Sequence, residues 1–370
     1  MRPRVKRPVA ISGARVRLPR MTPGIVPPYL LRRIAGADAE RFPTASVAAQ
    51  RTLRLDEPRR SARLTLTVEG DSLVAELSAA PNREISDAGG REVLPGRVVR
   101  REGADPTGDV AVDEAYDGLG ATFDLFSEVY GRDSIDGAGL PLRATVHYGR
   151  LYDNAFWDGE RMVFGDGDGE VFDRFTKSLS VIGHELAHGV TQVASGLVYR
   201  GQPGALNESI SDVFGALVEQ YALKHTAAEA SWLVGEGLFT DEVEGSALRS
   251  MREPGTAYDD DVLGRDPQPA HMDDYIDTRE DNGGVHLNSG IPNRAFVLAA
   301  ETIGGYAWER AGLIWYDTLT GGLAPDVDFA AFAAATARAA SARYGETSAE
   351  ADAVRAGWER VGVTTDGRRA

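Results

Sequence analysis

Three observations predict an α+β fold with two layers and a cleft where they meet, preceded by a separate N-terminal segment. Between Glu84 and about Gly169 short apolar runs alternate with glycine punctuation, which reads as strands and turns. After Gly169, apolar-periodic stretches at about 178–195, 206–224, 288–303, 306–320, 327–344 and 347–361 read as helices. Residues 1–60 hold 14 Lys or Arg against 4 Asp or Glu, a balance of +10, so the remainder of a chain with net charge -16 carries about −26. Such asymmetry suits a detachable basic segment complementary to an acidic body. The expected parts are 1–80, 81–180 and 181–370.

Taken in order, Leu64, Leu66 and Val68 precede Glu69-Gly70-Asp71 and the run Leu73 to Leu77, which predicts a hairpin. Tyr116, Leu119, Phe123, Phe126 and Tyr130 recur at helical spacing and predict one helix inside the strand-rich part. The repeat Gly165-Asp166-Gly167-Asp168-Gly169 lacks the twelve-residue calcium-loop pattern and its closing Glu, so it reads as a turn. Gly196 suits the position after a helix end, and Pro292 the start of another.

Composition narrows the chemistry. Apolar residues make up 42% and charged residues 26% of 370, ordinary globular usage. No run of about 18 apolar residues exists to span a membrane. There is no cysteine, so a zinc site would draw on carboxylates and the six histidines. Arg15, Arg17, Arg20, Arg32 and Arg33 interrupt every apolar stretch that could form a Sec signal. The expected location is outside the cell by a route without such a signal, the alternative being the cytoplasm. The basic start has few aromatics and no binding motif, so no nucleic-acid partner is expected.

His184-Glu185-Leu186-Ala187-His188 matches H-E-x-x-H in a helical stretch. Residues four apart stack on one helix face, so the two imidazoles converge on one ion while Glu185 points beside it. Catalytic zinc takes three protein ligands and leaves one position for water. Twenty residues later, Glu208 and Asp212 again lie four apart: Glu208 can complete the site, and Asp212 can accept a ligand histidine's second N–H. Asn207 joins Asp212 as an expected partner of the ligand imidazoles.

With Asn154-Ala155-Phe156-Trp157, Leu248-Arg249-Ser250-Met251 and Asp281-Asn282-Gly283-Gly284-Val285-His286, these motifs make residues 84–363 resemble the thermolysin family of metallopeptidases, closest to its protealysin-like branch with short prosegments. The resemblance implies a thermolysin-like fold, one catalytic zinc on His184, His188 and Glu208, and Glu185 as general base. It implies Tyr199 and His286 as donors to the oxyanion, with Asp281 orienting the histidine. Asn154 and Ala155 match the edge that holds substrate as an added strand, Arg249 the residue that binds the carbonyl beyond the cut, and Phe172, Phe175, Val181 and Leu248 an apolar pocket for the next residue.

Ile25-Val26-Pro27-Pro28-Tyr29 resembles the Pro-Pro-aromatic stretch of those prosegments, and a Pro-Pro run is expected to lie extended in a cleft. The expectation is therefore a monomeric endopeptidase made as a self-processing zymogen. Its own prosegment is the inhibitor, protein and peptide chains are its substrates, and the maturation cut falls between Ser78 and Ser86. Where the family holds calcium on five carboxylates, this chain has Ser180, Glu219, Ser231, Leu233 and Glu236, which implies weak calcium binding or none. The rival reading is a non-catalytic zinc-binding relative.

Overall fold

The structure is a computed structural model that describes residues 24–61 and 80–365. The hairpin expected between Leu64 and Leu77 lies outside the described residues. Two helices come first among the described residues, α1 (Pro28–Ala35) and α2 (Pro43–Ser61). Neither was expected. Pro27 is extended at φ −65, ψ 147, but Pro28 occupies the first helical position, where its missing N–H costs nothing, so the Pro-Pro run ends the extended stretch instead of prolonging it.

Strands β1 (Glu84–Asp87), β2 (Arg97–Arg101), β3 (Arg143–Val146), β4 (Ala155–Trp157) and β5 (Met162–Phe164) form one sheet in the order β2-β1-β3-β5-β4. The pairs β1–β3 and β3–β5 are parallel, while β1–β2 and β5–β4 are antiparallel, which leaves β4 as an edge. Between β2 and β3 runs α3 (Val110–Asp124), capped by Asp109, whose carboxylate accepts from Ala111 N at 3.0 Å and Val112 N at 3.3 Å. Its last turn widens into a π segment over Leu125–Val129, yet all five residues of the expected apolar face are buried. The Gly165–Gly169 stretch is irregular and bends only from Gly169, where Asp168 Oδ1 accepts from the backbone of Glu170 and Val171 at 2.6 Å.

The helical part comprises α4 (Leu179–Ala194), α5 (Gly201–Leu223), α6 (Asp281–Asn288), α7 (Gly290–Ile303), α8 (Ala311–Thr320), α9 (Phe329–Tyr344) and α10 (Ala349–Glu359). Two starts differ from expectation. Helix α5 begins at Gly201, within a Gly-Gln-Pro-Gly stretch of low helix propensity, and α8 begins at Ala311 because residues 306–310 form a turn. Helices α4 and α5 cross at Gly183 and Gly215, where a Cβ on Gly215 would lie 2.4 Å from Ser180 O. That approach brings the histidine face of one helix against the carboxylate face of the other. Among the described residues, no helix is long and apolar enough to cross a membrane.

Candidate metal centre and substrate cleft

His184, His188 and Glu208 offer ligand atoms that all lie within 4.8 Å of one another, and all three are buried. Each imidazole uses its Nδ1 on the protein. His184 Nδ1 makes a short, bent contact of 2.7 Å with Asp212 Oδ1, while His188 Nδ1 sits 2.7 Å from Asn207 Oδ1 and 3.0 Å from Ser211 Oγ. With Nδ1 protonated toward those acceptors, each Nε2 of a neutral ring carries only a lone pair. The two Nε2 atoms nevertheless lie 3.0 Å apart, with Glu208 oxygens 3.6 and 3.5 Å away.

Two acceptors and a carboxylate facing one another, with Glu208 Oε2 lacking any hydrogen-bond partner, are what a cation would reconcile. The nitrogen and oxygen donor set fits zinc, with no cysteine required. Burial keeps His188 neutral, its pKa down to about 4. Burial also works against the charge of Glu208, but the facing imidazoles, His286 foremost, outweigh it and lower its pKa.

Glu185 is one residue on from His184 and fully buried. Its Oε2 accepts from Trp157 N at 3.0 Å, which fixes the carboxylate, while Oε1 has no partner. Burial, then repulsion from Glu208, raises its pKa well above the usual carboxylate range. Across the site, His286 sets Nδ1 at 2.7 Å from Asp281 Oδ1, and its backbone N–H donates to Asp281 Oδ2 at 2.9 Å. This pairing depends on a left-handed run at Asn282, Gly283 and Gly284, with φ 53, 88 and 73, a path for which Asn-Gly-Gly is suited. Burial opposes a charge on His286, but Asp281 and Glu208 prevail and raise its pKa. Tyr199 OH lies 3.3 Å from His286 Nε2 and donates a short bond to Glu208 Oε1.

The cleft beside this cluster is filled by the chain's own residues 24–27. Gly24 bridges Phe156 in antiparallel sense on the free edge of β4. Ile25 N donates to Ala155 O at 3.1 Å, Val26 N donates to Asn154 Oδ1 at 2.9 Å, and Arg249 Nη1 donates to Ile25 O at 3.1 Å. Phe172, Phe175, Val181 and Leu248 are buried in the same apolar cluster as Ile25 and Val26. Asn154, Ala155 and Arg249 thus meet Ile25 and Val26 directly, whereas the four apolar residues share with them only the main core, which runs through most of the molecule.

Several residues at the cleft have no signature in sequence. Asp56 of α2 accepts from Asn154 Nδ2 at 2.9 Å and from Tyr152 OH at 2.6 Å. Glu170 caps α2 by accepting from Thr44 N and Ala45 N at 2.9 Å. Ser211 flanks His188, whereas Trp157, whose backbone N–H serves Glu185, lies in the motif Asn154-Ala155-Phe156-Trp157. The charge asymmetry and the Pro-Pro-aromatic stretch were the legible hints of docking, and the first materialises as ion pairs Arg32–Glu280 at 3.1 Å and Arg41–Asp261 at 2.6 Å.

Residues 92–192 match the sequence family described as thermolysin metallopeptidase, catalytic domain, and residues 195–363 match its alpha-helical domain. An extracellular metalloprotease of Pectobacterium carotovorum subsp. carotovorum is 52% identical over 342 residues, 92% of this chain and 96% of its own. A thermolysin of Alicyclobacillus acidocaldarius subsp. acidocaldarius is 40% identical over 262 residues, 69% of this chain and 46% of its own. Among solved structures, the precursor of protealysin, a metalloproteinase from Serratia proteamaculans, superposes with a TM-score of 0.84 at 52% identity, covering 92% of this chain and all of that one.

Proposed function

The chain belongs to the thermolysin family of metallopeptidases, a zinc endopeptidase with a prosegment, and from that premise we propose which residues do the chemistry and how the chain holds itself latent. The observation that carries the proposal is the hydrogen bonding of Ile25 and Val26 to Ala155, Asn154 and Arg249. A peptide substrate uses the same three residues, lying antiparallel on β4 with the carbonyl beyond the cut held by Arg249.

His184, His188 and Glu208 hold zinc. Zinc held there would supply Lewis-acid activation of the attacking water. Glu185 Oε1, buried and without a hydrogen-bond partner among the described residues, takes the proton from the attacking water and returns it to the leaving nitrogen. His286 Nε2 and Tyr199 OH donate to the oxygen on which charge builds, and Asp281 keeps His286 protonated and aimed. Phe172, Phe175, Val181 and Leu248 favour an apolar residue after the cut. Asn207 and Asp212 orient the ligand imidazoles.

Residues 1–80 act as a prosegment inhibitor, 81–180 and 181–370 as the two walls of the cleft, and the protein works as a monomer outside the cell without nucleic-acid partners. The extracellular relative supports that location. Self-processing must cut before Arg83. The earlier range reaching Ser86 runs into β1, a central strand in which Ser86 is buried, and Arg83 is tied to Glu102 at 2.8 and 2.6 Å. Calcium binds weakly or not at all where the family's pair would be: the Ser180 hydroxyl already accepts from Gly235 N at 3.1 Å, and burial followed by Glu236 lifts Glu219 to about 7. Cleavage of casein or a quenched peptide with an apolar residue after the cut, abolished by a zinc chelator and restored by zinc, is the expected result. Matured protein that binds zinc and cleaves neither would establish the non-catalytic relative instead.

A further inference from the structure

Asp212 receives donors from three directions. Its Oδ1 takes His184 Nδ1 at 2.7 Å and Arg249 Nη2 at 2.8 Å, and its Oδ2 takes Arg249 Nε at 3.0 Å. The third donor is Asn293 Nδ2, 2.8 Å from Oδ2. Asp212, Arg249 and Asn293 are all fully buried, and among the described residues the Asn293 Oδ1 has no partner, so the amide's one side-chain bond there is the one it donates to Asp212. Burial opposes the charge on Asp212, but Arg249 and His184 outweigh it and keep the carboxylate ionised.

A guanidinium forked on a carboxylate is a rigid plate, but the two groups can still swing together about the Asp212 side chain. Asn293 ties that plate to α7, in whose first turn it sits and which follows directly on the run carrying His286. We infer that Asn293 is a positioning residue for peptide hydrolysis: its donation to Asp212 Oδ2 aims Arg249 Nη1 at the substrate carbonyl and His184 Nε2 at the metal. The inference rests on Arg249 holding that carbonyl, as Ile25 O is held. No side chain of comparable shape supplies this donor: leucine fills the space without one, and aspartate replaces it with an acceptor facing a like charge.

The test uses matured Asn293→Leu, Asn293→Asp and Asn293→Ser proteins, with zinc loaded, and reads kcat, KM, the rate of zinc loss to a chelator, and melting temperature. Asn293→Leu should raise KM about tenfold, the scale of a hydrogen bond to a charged group. It should also speed zinc loss by about tenfold, as for other groups behind a metal ligand. Asn293→Asp should be worse in both, and Asn293→Ser, which retains a short donor and leaves room for water, intermediate. A lowered melting temperature with KM and zinc loss within twofold of the parent in the leucine and aspartate variants would overturn the inference, because a purely structural residue does that. Arg249→Lys tests the premise separately. If it leaves KM unchanged, the reading of Arg249 falls, and Asn293 is then decided by zinc loss alone, an unchanged rate overturning it.

Discussion

The floor of the cleft and the segment that covers it are both buried, but they are held in different ways. The α4–α5 floor is joined by glycine-mediated contact and a network in which Asp212, Asn207, Ser211 and Arg249 each serve a neighbour with no water between. The cover, residues 24–61, buries Ile25, Val26, Leu30, Leu31, Ile34 and Phe42, with the small side chains of Ala45, Ala48 and Ala49 on α2. Otherwise it is held by backbone bonds to β4, the Glu170 cap on α2, the Asp56 contacts and surface ion pairs. Exposed pairs such as Arg32–Glu280 are individually weak and screened by salt. A floor locked from within and a cover clipped on from outside suit a part that stays and a part that leaves.

That contrast can be broken first at the floor. Glu185→Ala removes a base without touching a zinc ligand, so it should keep about one zinc per chain while kcat falls about 10²–10⁴-fold. Metal analysis beside peptide hydrolysis would check this, and loss of zinc would mean that Glu185 is a ligand. Asp212→Ala strips the support behind His184 and leaves Arg249 buried without its counter-charge. Its zinc affinity should drop by about 10- to 100-fold, read by competition with a chelator.

The cover should respond more mildly and in the opposite sense. A Cβ on Gly24 would fall 2.4 Å from Asn154 Nδ2, so Gly24→Ala should loosen the strand without harming the matured enzyme. Asp56→Asn removes the charge that Asn154 and Tyr152 share. Each should speed maturation about fivefold or more, the scale of one charge-assisted bond. Gel analysis over time would show it, and slower maturation would count against docking as the brake.

The smallest effect lies away from the cleft. His147 stands 2.9 Å from Asp166 and 3.1 Å from Asp109, and chiefly the Asp166 bond lifts it to about 9. A raised folded pKa stabilises below the unfolded value of about 6.5 and is lost as pH rises through the folded value. His147→Gln should therefore lower the melting temperature by roughly 1–3 °C at pH 6 and leave it unchanged near pH 10.

Legibility in the sequence follows the same divide. H-E-x-x-H and the Glu208/Asp212 pair announce themselves because four-residue spacing fixes a face, and α4 spans 179–194 against an expected 178–195. Helices α1 and α2 escaped because their order comes from the body. Pro28 looks like a breaker, and α2 starts against a carboxylate 126 residues away. Its buried face is built from Ala45, Ala48 and Ala49, too small to stand out as a stripe. The start of α5 was hidden by Gly204, which is required because a Cβ there would meet Val285 at 2.5 Å. Asp56, Glu170 and Asn293 act across long separations, and no local pattern encodes such partners.

If residues 24–27 occupy the path of the substrate strand in a zinc peptidase, removing them should switch the enzyme on. The most direct measurement follows purified parent protein over time by intact mass and by cleavage of a quenched peptide in the same samples, with Glu185→Ala in parallel. The account predicts that peptidase activity appears in step with a shorter, more acidic product that begins before Arg83, while Glu185→Ala remains at 370 residues. Full activity from the uncut chain, or shortening of Glu185→Ala at the parental rate in a protease-free preparation, would contradict it.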